Sequence, residues 1–302
     1  MGRIRFTVSL PFIAMLCACH SVVLNPSGDV AQQQRDLLIY STVLMLIVIV
    51  PVMVMTVLFA WRFRESNSAA RYEPDWDHSI HLELLIWAAP LLIIIGLGGL
   101  TWVGTHLLDP YRSLSRIKAG ESMPSAPAEL QVEAVALDWK WLFIYPQFGI
   151  ATVNELAAPV DRPIDFRITA SSVMNSLFIP TLAGQIYAMP GMETRLHAVA
   201  NEAGDFEGFS ANYSGAGFSG MHFVFRALAD ADFERWVARQ RTDGGELGRS
   251  VYLRLEQPSE NAPAQAFATV DPGLYRAILN RCVEAGKPCI DEMIAMGAAS
   301  ER

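Results

Sequence analysis

Two stretches of this chain, from about Leu37 to Trp61 and from about Leu82 to Leu108, are almost wholly apolar for about 25 residues each. Crossing ~30 Å of hydrocarbon takes ~20 helical residues, and within lipid an α-helix satisfies its own backbone. The two runs therefore predict a transmembrane helical hairpin. Pro51 and Pro90 lie inside them, where neighbouring helices can re-satisfy a freed carbonyl, so kinks are expected there. Gly96, Gly98 and Gly99 leave a smooth strip along the second span, suited to close approach by another helix.

Upstream, "MGRIRFTVSLPFIAMLCACH" has a basic start at Arg3 and Arg5, an apolar run from Phe6 to Leu16, and a small residue, Ala18, before Cys19. That is the layout of an export leader, residues 1–18. Leu16-Cys17-Ala18-Cys19 also resembles the bacterial lipobox, which makes Cys19 a candidate lipidated N-terminus; cleavage leaving a free Cys19 is the other reading. Lys/Arg counts do not orient the hairpin, because Arg62, Arg64 and Arg71 are matched by Arg112, Arg116 and Lys118. An exported N-terminus does: it puts the loop of about 63–80 in the cytoplasm and everything after about 109 outside, in the periplasm. The formal charge of −8, with no polybasic run, excludes nucleic acid as a partner.

Residues 109–128 are rich in Pro, Ser and Ala and lack a hydrophobic period, so they read as a linker. After it, Leu130, Val132 and Ala134 alternate with Gln131 and Glu133, and Ile164, Phe166 and Ile168 with Asp165 and Arg167. Period two means strands. With further short apolar runs near 194–200 and 221–227, separated by Gly- and Pro-bearing turns, the pattern predicts a β-sandwich over 129–228. Helical periodicity follows. Asp230 or Asp232 can cap a helix burying Phe233, Trp236 and Val237; Asp271-Pro272 can open another with Leu274, Ile278 and Cys282 on one side. Residues 229–302 thus read as a small helical extension, and the whole as an α+β membrane protein. Cys282 and Cys289 are about 10 Å apart in an unbroken helix, too far to bond. Gly286 and Pro288 break it, leaving a disulfide and free thiols as the two readings.

"SANYSGAGFSGMHF", residues 210–223, has the spacing of a metal loop without its cysteines. Together with "DWKWLFIYP", "SSVMNSLFIP" and "QIYAMPGM" it resembles subunit II of the haem–copper respiratory oxidases, in particular the quinol oxidase (cytochrome bo-type) branch. The resemblance implies a cupredoxin-like Greek-key sandwich. In the cytochrome c branch that sandwich holds two coppers through an early histidine and a loop C-x-E-x-C-G-x-x-H-x-x-M. The matching positions here are Asn175, Ser210, Asn212, Ser214, Phe218 and Met221. Only the methionine remains. Alcohols, amides and a benzyl ring do not supply the soft thiolates and neutral imidazoles such a pair needs, and His222, next to Met221 in a strand, is expected on the opposite face. No metal or other cofactor is expected in this chain, and Gly215, Gly217 and Gly220 are read as meeting turn geometry.

What the resemblance implies follows from that loss. The haems and copper belong to subunit I, which receives electrons from membrane quinol, and this chain scaffolds it as an accessory subunit of a proton-translocating quinol:oxygen oxidoreductase. Its partners are then subunit I, other oxidase subunits, membrane lipid and, through subunit I, quinol. Glu83, about one turn into the second span and four residues before Trp87, matches the family's proton-uptake entrance; a glutamate reaching the headgroups is the other reading. His78 and His81 read as solvated, and Trp139 and Trp141 as core or interfacial anchors. A cytochrome c oxidase subunit, and a stand-alone cupredoxin-fold lipoprotein acting in assembly or sensing, are the alternatives.

Overall fold

The computed structural model describes residues 21–71, 73, 75–123 and 129–300; the leader and Cys19 lie outside them. The chain forms two units, one of residues up to Gln32 and from Pro110 onward, the other Gln33–Asp109. The second unit is the hairpin of helices α1 (Asp29–Arg62) and α2 (Ile80–Leu107), both long and apolar enough to span a membrane. They run on through Pro51 and Pro90. Gly104 lies against Leu37 of α1, whereas Gly96, Gly98 and Gly99 have nothing within 4 Å of where a Cβ would stand, so the predicted small-residue strip is open in this chain alone.

The first unit is a two-sheet sandwich with a third layer. The larger sheet has the order β10 (Thr194–Ala198), β7 (Ile164–Ala170), β3 (Leu130–Leu137), β4 (Lys140–Tyr145), β5 (Ile150–Val153), β14 (Gln265–Val270), β13 (Gly245–Leu247). The smaller has the order β6 (Glu155–Pro159), β12 (His222–Leu228), β11 (Gly204–Ser210), β8 (Asn175–Phe178), β9 (Ile186–Ala188). Most neighbours are antiparallel; β3–β7, β6–β12 and β13–β14 are parallel.

Strand β4 shows why a third layer exists: all six of its residues are buried, so neither face meets water. Trp141, Phe143 and Tyr145 point into the sandwich, where Phe223 meets the first two at ring-centroid distances of 6.1 and 4.9 Å. Leu142 and Ile144 point the other way, into a second core with Leu274, Tyr275, Ile278 and Val283. That layer comes from helices α4 (Arg249–Leu255) and α5 (Leu274–Leu279), while α3 (Asp230–Asp243) buries Phe233, Trp236 and Val237 and sets Trp236 against Tyr145. Helix α6 (Ile290–Ser300) follows.

Three boundaries differ from expectation. The stretch after 228 is not all helix: β14 pairs with β5 and extends the sandwich's own sheet, so the third layer is built into the sheet. Its Ala- and Thr-rich sequence carries too little apolar contrast to announce a strand. The linker contains a small hairpin of β1 (Arg116–Lys118) and β2 (Glu121–Ser122). The helix starts also move. Ala229 caps α3 without a side-chain bond, and α5 begins after Gly273 at φ +86°, with Asp271 offering its carbonyl to the Leu274 N–H.

The segment before α1 is docked on the sandwich. Ser27 and Gly28 donate their N–H groups to Thr181 O at 3.0 and 2.8 Å, Asn201 N–H donates to Ser27 O, and buried Asp29 accepts from Arg116 Nε at 2.9 Å. Gly28 is required for close approach: a Cβ there would stand 2.7 Å from the Leu182 and Val199 carbonyl oxygens.

Candidate functional site

The loop that resembles a metal site connects β11 to β12 and faces the start of β8. Strand pairing brings its distant parts together: Ser210 closes β11, Asn175 opens β8, and both are buried with Met221. The Ser210 hydroxyl donates to Asn175 Oδ1 at 3.0 Å, and Asn175 Nδ2 donates to Val173 O at 3.1 Å. Asn212 Nδ2 donates to Met174 O at 3.2 Å. Ser214 accepts on its carbonyl the indole N–H of Trp139 at 3.0 Å, and Phe218 meets Tyr213 edge to face. His222 stands exposed on the other face from Met221, between Glu207 Oε1 at 2.8 Å and Ser219 O at 3.0 Å.

A mixed-valence copper pair needs thiolate bridges and imidazoles, and this donor set does not fit it. Ser210 and Asn175 already satisfy each other, and Met221 is the one soft side chain of the six positions. Losing one partner of such a buried bond costs more than losing both. Ser210→Ala is therefore expected to destabilise the sandwich by about 1–3 kcal/mol, and Ser210→Ala with Asn175→Leu by less, in thermal unfolding of the full chain; equal losses would contradict the pairing.

The loop glycines correct one expectation. Only Gly215 has a positive φ, at +122°. Gly217 is small because the Trp139 ring lies on it, 2.5 Å from where a Cβ would be, and Gly220 because Asn261 Oδ1 would stand at 2.4 Å. Trp139 thus packs on the loop, and Trp141 is fully buried in the core. Between them Lys140 was overlooked: its ammonium is buried and donates to Asp138 O, Gln257 O and Ser259 Oγ at 3.1, 2.8 and 2.6 Å. Burial lowers its pKa, and the three acceptors tie the 257–259 segment to the β3–β4 turn. A lysine opening an apolar strand gives no signal that two of its three partners lie over a hundred residues away.

In the hairpin unit, Glu83 occupies the first turn of α2, half exposed, with Oε1 2.6 Å from His78 Nδ1. His78, itself exposed, is the partner of Glu83. Trp87, one turn on, is exposed.

The family model described as Cytochrome C oxidase subunit II, periplasmic domain, matches residues 147–228, and COX Aromatic Rich Motif matches 241–286. The chain is 47% identical over 287 residues to the cytochrome bo(3) ubiquinol oxidase subunit 2 of Pseudomonas putida, covering 94% of this chain and 88% of that one. It is 49% identical over 274 residues to its namesake from Pseudomonas aeruginosa (91% and 80% covered), and 47% identical over 279 residues to ubiquinol oxidase subunit 2 of Acetobacter aceti (92% and 88%). The chain belongs to the ubiquinol oxidase subunit 2 family. It is therefore a subunit of an oxidoreductase complex, and the quinol-branch reading prevails over the cytochrome c alternative.

Within this ubiquinol oxidase subunit, the first family model ends where β12 ends, and the aromatic-rich one covers the third layer: Tyr252, Phe267 and Tyr275 all bury into the second core. Cys282 and Cys289 are joined by a disulfide there, with Cα atoms 4.9 Å apart. The turn through Gly286, at φ +81°, brings them together.

Proposed function

We propose that this chain is the non-redox, scaffolding subunit of a proton-translocating quinol:oxygen oxidoreductase, in which electrons pass from membrane quinol to a haem- and copper-bearing subunit I without entering this polypeptide. The observation that carries it is the Ser210–Asn175 hydrogen bond at the centre of a loop whose spacing is that of a copper site. Two apolar helices and a periplasmic-type sandwich fit an inner-membrane protein with its main domain in the periplasm, anchored additionally by lipid at Cys19. Metal analysis of the purified complex tests the electron path: copper is expected only in the amount subunit I holds, and an additional two per complex with near-infrared mixed-valence absorption overturns the reading. A haem-free monomer after mild solubilisation would instead favour a stand-alone lipoprotein. Mass spectrometry of the mature N-terminus tests the lipid.

Glu83 is the proposed entrance for protons on the cytoplasmic side. Its first-turn position, its half exposure and its 2.6 Å contact with His78 make a pair that can hold and pass a proton. Glu83→Ala is expected to slow proton uptake and quinol turnover together, with the complex still assembled. Unchanged uptake and turnover in that variant would reject the role.

A further inference from the structure

On the sandwich unit, exposed large apolar side chains are gathered at one end. That end is formed by the β7–β8 and β11–β12 loops, the turn after β9 and helix α6. Val173, Met174, Met192 and Tyr213 stand on the loops and the turn, and Met293, Ile294 and Met296 on α6, each 41–76% exposed. Among the described residues beyond 129, Tyr187 and Val224 are the only other exposed large apolar side chains.

Contacts within the chain join these pieces into one surface. Ile290 of α6 packs against the turn, its Cδ1 3.3 Å from where a Cβ on Gly191 would stand, and Met192 follows that glycine. The turn lies beside the end of β7, where Thr169 Oγ1 and the Ala170 N–H donate to Met189 O at 3.1 and 3.4 Å. Just past β7, Met174 accepts on its carbonyl from Asn212 Nδ2, the neighbour of Tyr213. Helix α6 is fastened at its start by the Cys282–Cys289 bond, by Ile290 N–H on Asn280 O at 3.1 Å and by Arg276 on Asp291 at 2.9 Å. Its Met and Ile side chains are thereby held in place and left open.

A contiguous apolar patch with a polar rim marks an interaction surface on a folded domain, and methionine and tyrosine with charge kept to the edge are the chemistry of an interface centre. Its margin tells what covers it. Helix α6 opens with Asp291 and Glu292 and has no Lys or Arg through Ser300, whereas helices that lie on lipid carry basic residues beside their apolar face. Asp138, bonded to Ser172 next to Val173, Glu260, packed at Gly217, and Glu292 edge the patch, with Arg281 as a cation beside the turn. Two copies of this chain meeting about a two-fold axis would set those acids against each other. A different polypeptide with an apolar face and a basic margin meets neither objection. We propose that this end of the sandwich, with α6 as its outer part, is the surface on which another subunit of the oxidase docks. The proposal rests on the scaffolding reading and assigns the holding to particular residues, α6 among them, which lies beyond both segments matched by the family models.

Peroxide converts accessible methionine thioethers to sulfoxides, so mass spectrometry after brief oxidation reads this surface in the purified complex. Met174, Met192, Met293 and Met296 are expected to oxidise severalfold more slowly in the intact complex than after its subunits are separated in denaturant. A photo-crosslinking benzophenone amino acid in place of Ile294 is expected to capture another oxidase subunit. Ile294→Asp, an exposed change outside both cores, should lower severalfold the share of this chain that stays with the haem-bearing fraction through detergent washing. Equal oxidation rates in the two states, an unchanged share in that variant, or crosslinks confined to a second copy of this chain or to lipid would overturn the surface. A haem-bearing fraction that lacks this chain altogether would instead sink the scaffolding reading, a result distinct from a complex that retains the chain and leaves these methionines open.

Discussion

Replacing Trp141 with alanine is expected to destabilise the sandwich by about 3–5 kcal/mol, the usual cost of emptying a fully buried large aromatic site. Trp141 is fully buried, lies 6.3 Å from Phe143 in near-parallel stacking and 6.1 Å from Phe223 edge to face, and sits on a strand with no exposed face to absorb the change. Set against a total stability of about 5–15 kcal/mol, that loss is a large fraction. Thermal unfolding of the complex, followed by near-ultraviolet circular dichroism, would measure it; Trp141→Phe should recover most of the difference. A loss below about 1 kcal/mol would mean that the core collapses around the gap and that the aromatic cluster is not what holds the two sheets.

The second large effect is expected at the disulfide. Cys282 and Cys289 close a loop of residues seven apart, which the chain-entropy model values at roughly 2–3 kcal/mol. Replacing both with serine should loosen the third layer, because Cys282 and Val283 belong to the second core, which is built from the larger sheet and the third layer. Limited proteolysis would locate the effect: earlier cleavage between about 255 and 290 with the sandwich intact is expected. Simultaneous loss of both parts would show that the layers unfold as one unit, and unchanged cleavage would show that the bond is dispensable.

Much of this was legible in the chain because its signals are local. The apolar runs at 37–61 and 82–108 became α1 and α2, α1 starting eight residues earlier at Asp29 and α2 running from Ile80 to Leu107. Period-two alternation marked β3 and β7, and the 3.6-residue period marked the buried face of α3. At the candidate site, the absence of thiol and imidazole from the spacing of residues 210–221 was a statement about residue types, and residue types need no coordinates. The helix starts were less legible: Asp230 and Asp232 looked like caps, but Ala229 takes that position because the preceding strand fixes where the chain turns.

What the sequence by itself determined was the solvent each segment requires and the chemistry its donors allow: two helices for lipid, a sandwich for water, a loop unsuited to paired copper. Tertiary structure alone decided who satisfies whom. The Ser210–Asn175 bond, the bonds from Lys140 to Gln257 and Ser259, the docking of Gly28 on Thr181 and the entry of β14 into the sandwich's own sheet all join residues far apart in the chain. Periodicity records which side of an element is apolar. It does not record which distant surface covers that side, and burial, which sets the cost of an unpaired polar group, exists only once that surface has arrived.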